Sequence, residues 1–259
     1  MDFKLAWVTQ LLLAFHACPS LGFHHVLPRD INQKPTQVIG GVTVINTPLV
    51  RTAQAYAKQV SEVHLYNHIM RTWLFGALVL KHNATLQDTV DLEVHAVGSM
   101  LHDLGLVLNG SWISHDRRFE VDAAIATTDF VERQVPNACE GAAAWDANRL
   151  QLLFDSVLLS SEPKFSLYKQ PTVAAVVQGV LIDLEGLAIT SVYGITNTEY
   201  NNVEEAFPRL NFITGVNATL VELCMTKPNT TYDSWQQAFG DAFVPGYSAV
   251  GNRIFDFFA

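Results

Sequence analysis

The chain after residue 47 is a succession of helix-type segments, and this pattern restricts its fold more than any other feature. Thr47 followed by Pro48 predicts a helix start, because a threonine side chain caps free backbone amides and proline suits the first helical position. No alternating strand-type block, internal repeat or low-complexity tract follows in the sequence. The sequence therefore predicts an all-α fold.

The helices expected from apolar periodicity differ in length and in clarity. Residues 23–46 mix Pro, Gly and short β-branched runs, so we expect an extended arm there and a single helical domain over 47–259. The third helix is expected to end at Gly105, since glycine is common just past a helix C-terminus. In chain order, the expected helices are "LVRTAQAYAKQVSEV", about residues 65–81, about residues 87–104, "RFEVDAAIATTDFVER", "AAAWDANRLQLLFDSVLL", "PTVAAVVQGVLIDLEGL", and the shorter "NVEEAF", "NATLVELCM" and "SWQQAFGDAF".

Residues 1–22 have the composition of a secretory signal peptide. Lys4 precedes the apolar run "LAWVTQLLLAFHA", and Ser20 and Gly22 supply small residues at a cleavage-type spacing. The run is shorter than the about 20 residues that a membrane span needs. We therefore expect a protein of the secretory pathway that has no membrane contact after cleavage.

Glycosylation motifs favour the same compartment. Four N-x-[ST] sequons occur, and such acceptors are used in secreted proteins. Cleavage would leave Cys139 and Cys224, which could form one disulfide in an oxidising compartment, and the sequence leaves their pairing open. The predicted acceptors are Asn83, Asn109, Asn217 and Asn229.

The charge balance restricts the partners of the protein. Of 259 residues, 16 are Lys or Arg and 25 are Asp or Glu, which gives a formal net charge of −9. Nucleic acids and anionic membranes attract positively charged surfaces, so the sequence predicts binding to neither. A small-molecule or protein partner is expected, and self-association into a homo-oligomer stays open.

Ionisable residues occur at the centre of apolar segments, where none of them is stable without a partner. His102 and Asp103 lie within "HAVGSMLHDLGLVLNG", His68 within "YNHIMRTWLFG" and Asp183 within "VVQGVLIDLEGL". Burying such a group unpaired costs about 2–7 kcal/mol, so either a bound cation or a hydrogen-bond network must compensate. Two imidazoles and two carboxylates suit zinc, iron or manganese, and a water bound to such an ion becomes a nucleophile near neutral pH.

Other histidines on the same helices offer rival assignments. His64 and His68 stand at i and i+4 on one helical face, a spacing that can hold zinc, and His95 lies seven residues before His102. Adjacent helical residues point about 100° apart. His102 and Asp103 can therefore share one ion only beside a helix end, between two neighbouring helices.

A second His-Asp pair has polar neighbours. His115 and Asp116 occur in "NGSWISHDRRFE", where we expect a loop and a solvated pair that bridges Arg117 or Arg118. Asp122 could face a pocket, but a carboxylate in the first turns of a helix is the more common arrangement, because the helix dipole favours it.

The order His … His-Asp … Asp on successive helices resembles the HD-domain superfamily of metal-dependent hydrolases. The segments "NTPLVRTAQAYAK", "YNHIMRTWLFG", "MLHDLGL", "RRFEVDAA" and "YKQPTVAAVVQGVLIDLEG" resemble, in the same order, blocks of cyanamide hydratase-like HD proteins over about residues 46–190. The resemblance implies a helical bundle with a metal site between helices, with Asn67 and Arg71 shaping that site beside a catalytic Asp103. The implied metal ligands are His68, His102, Asp103 and Asp183.

The activity that the resemblance implies is the addition of a metal-activated water to a small substrate. Relatives of this kind hydrate cyanamide to urea, with no covalent enzyme intermediate. Ser160 stands where they commonly have a histidine, and Phe154 stands where they have a tryptophan. A histidine there could shuttle a proton, whereas a serine hydroxyl does not titrate near pH 7. Phe154 predicts a reshaped pocket, with cyanamide or a related nitrile-like compound as the substrate.

Two other functions stay open at this point. Many HD proteins are phosphohydrolases of nucleotides or other phosphate esters, which place Lys or Arg near the ion. Here the cations near the motifs are few, chiefly Arg71. The third alternative is a binding module that keeps its metal but has no turnover.

Overall fold

The N-terminal part of the described chain is a β-hairpin. The structure, a computed structural model, describes residues 34–135 and 145–258. Strand β1 (Thr36–Ile39) pairs antiparallel with β2 (Val42–Ile45), and Gly40 and Gly41 join them with φ angles of 54° and 75°. Two consecutive residues with positive φ form the tight turn that matches strand twist. The extended arm predicted over 23–46 is therefore wrong for residues 36–45, while residues 1–33 lie outside the described part.

The remainder of the described chain is helical, and this confirms the all-α class. Short 3₁₀ turns occur at Leu104–Leu106, Ser191–Tyr193, Pro228–Thr230 and Ile254–Phe257. The α-helices are α1 (Pro48–Val60), α2 (Val63–His82), α3 (Ala84–Gln87), α4 (Leu92–Leu101), α5 (Phe119–Gln134), α6 (Ala147–Leu158), α7 (Pro163–Ser166), α8 (Pro171–Glu185), α9 (Leu187–Thr190), α10 (Asn197–Ala206), α11 (Phe212–Thr226) and α12 (Gln237–Phe243).

The start of α1 agrees with its sequence signal, whereas the third predicted helix does not. Thr47 caps α1 by accepting a hydrogen bond from the Val50 amide, and Pro48 is its first residue. The helix expected over about 87–104 is split, because Asp91 caps a new helix, α4, through the amides of Glu93 and Val94. The start predicted for that helix was therefore wrong by several residues.

Helix α2 is the central element of the main core. Its residues Trp73, Leu74 and Phe75 are almost fully buried, and it packs against α8 and α4. Gly179 allows the close approach of α8, since a Cβ there would lie 2.2 Å from the Thr72 carbonyl oxygen. Among the described residues, no helix combines the length and apolar character needed to cross a bilayer.

A second, smaller cluster of buried apolar residues attaches α11 to the rest of the fold. Leu220 and Leu223 of α11 pack with Leu65, Leu106 and Phe119. This contact places the start of α11 over the N-terminal half of α2, which carries His68.

The predicted modification sites have different outcomes. Cys139 lies outside the described residues and Cys224 is buried, so their pairing stays a prediction. The side chains predicted as glycan acceptors are exposed, as attachment of a glycan requires, but attachment itself stays a prediction. These four residues are Asn83, Asn109, Asn217 and Asn229.

Candidate metal centre

His68 lies on α2, where the helix faces α4 and α8, and it is 3% exposed. Its Nδ1 is 2.5 Å from Oδ2 of Asp183 on α8. An ionised carboxylate only accepts hydrogen bonds, so Nδ1 carries the proton and Nε2 presents its lone pair. This hydrogen bond therefore fixes both the tautomer and the direction of the His68 ring.

His102 and Asp103 stand just past the end of α4, as sharing one ion requires. Leu101 is the last residue of α4, and the 3₁₀ turn Leu104–Leu106 follows. The role of Gly105 differs from the expected one: it has no positive φ, and instead a Cβ there would lie 1.9 Å from the Phe119 carbonyl oxygen. Gly105 thus allows close contact with the start of α5.

The His102 imidazole is oriented in the same way as that of His68. Its Nδ1 donates to the Ser99 carbonyl oxygen at 2.8 Å, which leaves the Nε2 lone pair free to bind. Burial lowers the pKa of His102, because desolvation disfavours the imidazolium, although the Asp103 carboxylate opposes this shift. The neutral imidazole is the form that binds metals.

The two Nε2 atoms converge on one carboxylate oxygen. His68 Nε2 and His102 Nε2 each lie 3.4 Å from Asp103 Oδ2. Among the described residues, these three form the group whose ligand atoms lie within 4.8 Å of one another. Two ligands at about 2.1 Å from a tetrahedral zinc lie about 3.4 Å apart, so the spacing fits such an ion. The 3.4 Å from each Nε2 to Asp103 Oδ2 is longer than an ordinary hydrogen bond.

Asp183, the fourth predicted ligand, is near this group but does not join it. Its Oδ1 accepts from Arg71 Nε at 2.6 Å and from Arg209 Nη2 at 3.1 Å, and its Oδ2 accepts from His68 and from Arg71 Nη2 at 3.0 Å. Burial alone would raise the pKa of Asp183, but the hydrogen bonds from His68 and Arg71 outweigh burial and lower it to about 2. Asp183 is thus placed to orient His68 from behind.

A segment of the chain, residues 207–212, covers the group, and we call it the strap. Asn67 Nδ2 donates to the Pro208 carbonyl oxygen at 2.7 Å, and Arg71 Nη1 donates to that of Phe207 at 2.9 Å. Phe212 stacks on His68 with ring centroids 4.4 Å apart. Asn67 and Arg71, which the resemblance placed at the site, therefore contact the strap through its main chain.

Neither a family model nor a curated protein sequence matches this chain. The likeness to HD proteins therefore stays a prediction from the sequence motifs, and the arguments that follow use this chain's own geometry.

The rival histidines are not part of the converging group. His64 Nδ1 lies 3.3 Å from Glu62 Oε2. His95 is buried, and burial lowers its pKa to about 4. Its Nε2 packs against Gly76, where a Cβ would lie 2.3 Å away, and has no hydrogen-bond partner in the described part of the chain.

The second His-Asp pair is exposed, as expected for a loop, but its expected arginine partners pair elsewhere. Arg117 Nε is 2.8 Å from Asp122 Oδ1, and Arg118 Nη2 is 2.7 Å from Glu120 Oε1. The predicted bridge between this pair and Arg117 or Arg118 was therefore wrong. His115 and Asp116 are both exposed.

Two residues at the centre were missed by the sequence reasoning: Arg209, which binds Asp183, and Phe212, which stacks on His68. Neither follows from a local motif, because each reaches its partner across a large sequence separation.

Ser160 is buried, and its hydroxyl has no hydrogen-bond partner among the described residues.

Proposed function

We propose that the protein is a metal-dependent hydrolase or hydratase of the HD type that adds an activated water to a small substrate, such as cyanamide or a related nitrile-like compound. We also propose that it acts in the secretory pathway or outside the cell, on the basis of its leader-type N-terminus and its four sequons. The cofactor would be a divalent ion, with zinc favoured and iron or manganese as alternatives.

One observation carries the proposal: the Nε2 atoms of two buried imidazoles and one buried carboxylate oxygen converge within 4.8 Å of one another. The separations of 3.4 Å from Asp103 Oδ2 to His68 Nε2 and His102 Nε2 fit donors around one tetrahedral ion. The set supplies three donors, and catalytic zinc sites commonly have three protein ligands and an open position for water. The buried donor set therefore fits the ion.

When bound, the ion would supply a water of lowered pKa and a positive charge against which a substrate can be polarised. The chain's own groups have separate tasks. Asp103 would hold the ion through Oδ2, and its other carboxylate oxygen could accept a proton from that water. Asp183 and the Ser99 carbonyl hold the two imidazoles in the binding tautomer. Asn67 and Arg71 hold the strap that keeps bulk water from the site.

Phosphate-ester hydrolysis has less support. A phosphohydrolase needs cations that are free to bind phosphate. Arg71 is buried and bonded to Asp183 through both Nε and Nη2, and Arg209 is bonded to the same carboxylate. Arg71 Nε and Arg209 Nη2 also lie 3.7 Å and 2.8 Å from Glu204 Oε1, so two carboxylates balance these two cations. If the protein binds metal but shows no turnover, its function is that of a non-enzymatic binding module.

The proposal is tested by comparing urea release from cyanamide with phosphate release from nucleotides, using zinc-loaded protein. We expect urea release in the wild type, its loss in His102→Ala, and its retention in His115→Ala. The latter is a matched control, because it removes an exposed histidine that also precedes an aspartate.

Phosphate release without urea release would replace the proposal with the phosphohydrolase function. Bound metal without release of either product would favour the binding module.

A further inference from the structure

A cavity of about 330 Å³ is lined by none of His68, His102 and Asp103, which we call the metal group. Its apolar wall includes Leu65, Leu106 and Val216, and thus comes from the start of α2, the 3₁₀ turn after Asp103, and α11. Such a volume is in the range of small-molecule sites.

Each of the three elements of the apolar wall also carries a residue of the metal group, directly follows one, or carries the Phe212 ring that stacks on His68. His64 lines the cavity one helical turn before His68 on α2, and Val216 lines it one turn after Phe212 on α11. The cavity therefore lies directly next to the metal group along the chain elements that both share.

His64 is the lining residue that precedes His68 by four positions on α2. Its side chain is 11% exposed, and a Cβ on Gly215 would lie 2.3 Å from its Nε2. The imidazole is thus packed against α11, so this ring must move before a molecule can pass between α2 and α11 toward His68.

The charge of the lining residues has one sign. Glu62 and Glu222 line the cavity together with His64, and no Lys or Arg is among the described residues that line it. Two carboxylates without a cation make the local potential negative, which attracts cations and repels anions. Asn109 and Thr219 add neutral polar groups to the lining.

We propose that this cavity is the entrance to the metal group, and that it admits small neutral or cationic molecules with an apolar part and rejects phosphate esters. The inference rests on the proposed function, because it names the substrate class of the same site. Amides, amines and nitriles fit this description by charge, whereas nucleotides do not.

The sign of the potential is tested with a cysteine introduced in the cavity. Thr219→Cys is labelled with a cationic and an anionic methanethiosulfonate reagent, and Ala218→Cys, an exposed neighbour outside the cavity, is the matched control. We expect the ratio of cationic to anionic rates to be several-fold higher at Thr219→Cys. It should fall when Glu62→Gln and Glu222→Gln are added, and stay the same with Glu205→Gln, an exposed carboxylate that does not line the cavity. An equal ratio of cationic to anionic rates at Thr219→Cys and Ala218→Cys would overturn the charge selection.

The entrance role is tested by the uptake of Co²⁺ into metal-free protein, followed by its visible absorption. Labelled Thr219→Cys should take up Co²⁺ at least tenfold more slowly than the unlabelled variant, and removal of the label with a phosphine reductant should restore the rate. Labelled Ala218→Cys should not be slowed. Full Co²⁺ binding at an unchanged rate in labelled Thr219→Cys would overturn the entrance role and leave the proposed function intact. If none of these proteins binds Co²⁺, the proposed function itself fails, and the entrance role fails with it.

Discussion

At the scale of single residues, the main feature of this protein is the way in which two histidines are fixed from behind. Asp183 and the Ser99 carbonyl each accept a hydrogen bond from an imidazole Nδ1, at 2.5 Å and 2.8 Å. Such partners of metal-binding histidines set the ring orientation and raise its basicity. With Nδ1 of each ring engaged in this way, the two Nε2 atoms are the ring nitrogens that face the Asp103 carboxylate, each at 3.4 Å.

The orienting role of Asp183 gives a prediction for Asp183→Asn. We expect roughly 10- to 100-fold weaker zinc binding, because an amide neither fixes His68 as strongly nor balances Arg71. A competition titration against a chromophoric chelator measures the change. Asp129→Asn, which alters an exposed carboxylate on α5, should leave the affinity unchanged. Unchanged affinity in a folded Asp183→Asn protein would contradict the role given to this residue.

At the scale of elements, the strap is the segment that packs directly on the candidate centre, through the stacking of Phe212 on His68. Arg209 holds it to two elements at once, through Asp183 on α8 at 3.1 Å and through Tyr200 Oη and Glu204 on α10 at 2.9 Å and 2.8 Å. Its side chain is 31% exposed, so solvent reaches part of it. Leu210, in the middle of the strap, has φ of 50°, which is unfavourable for a residue with a Cβ.

Loss of the Arg209 contacts should therefore loosen the strap. In Arg209→Ala we expect faster hydrogen–deuterium exchange in peptides that cover residues 207–212, since local opening is easier where few contacts hold a segment. Lys81→Ala serves as the control, because it removes a surface ion pair of 2.7 Å to Glu199 that does not contact the strap. Identical exchange of the strap in the wild type and Arg209→Ala would show that other contacts hold the strap in place.

The sequence predicted some of these elements and not others, for physical reasons. Thr47–Pro48 is a local capping signal, and it located the start of α1 correctly. The Gly40–Gly41 turn was also a local signal, but its flanking β-branched residues were interpreted as an arm. Arg209 and Phe212 could not be predicted, because their partners lie in α8 and α2 and only the folded chain brings them together.

At the candidate metal centre, too, some features follow from the local sequence and others arise only in the folded chain. The residue types and their order predicted His68, His102 and Asp103, and the structure brings these three together. The position of Asp183 behind His68 depends on which atoms face each other, and this information is not contained in helical spacing.

At the scale of the whole molecule, a buried ion-pair network links distant parts of the chain. Asp122 on α5 accepts from Arg117 Nε at 2.8 Å and from Lys227 Nζ, just past α11, at 3.0 Å. Burial alone would raise the pKa of Asp122, but hydrogen bonds from the Ser114 amide, Arg117 and Lys227 outweigh it and hold the pKa below its usual value. The network thus ties the loop before α5 to the C-terminal part of the fold.

The sign of this shift predicts how the contribution of Asp122 to stability varies with pH. A lowered folded-state pKa stabilises the fold above the usual carboxyl pKa of about 4, and this contribution is lost as the pH falls below that value. We expect Asp122→Asn to reduce the free energy of unfolding by about 3 kcal/mol at pH 7, because it removes the carboxylate partner of the buried Lys227 and leaves it the carbonyl oxygens of Ser114 and Arg117 as acceptors. Urea unfolding at several pH values measures the difference between the two proteins. It should shrink toward pH 3, and a difference that is constant with pH would contradict this interpretation.

The account as a whole depends on one divalent ion held by His68, His102 and Asp103. The most direct test is the metal content of purified wild-type protein, His102→Ala and His115→Ala after equal exposure to zinc and removal of free metal. We predict about one zinc per chain in the wild type and in His115→Ala, and a large loss in His102→Ala, because one of three protein ligands is removed. Equal metal content in all three proteins, or no metal in a folded wild type, would contradict the account.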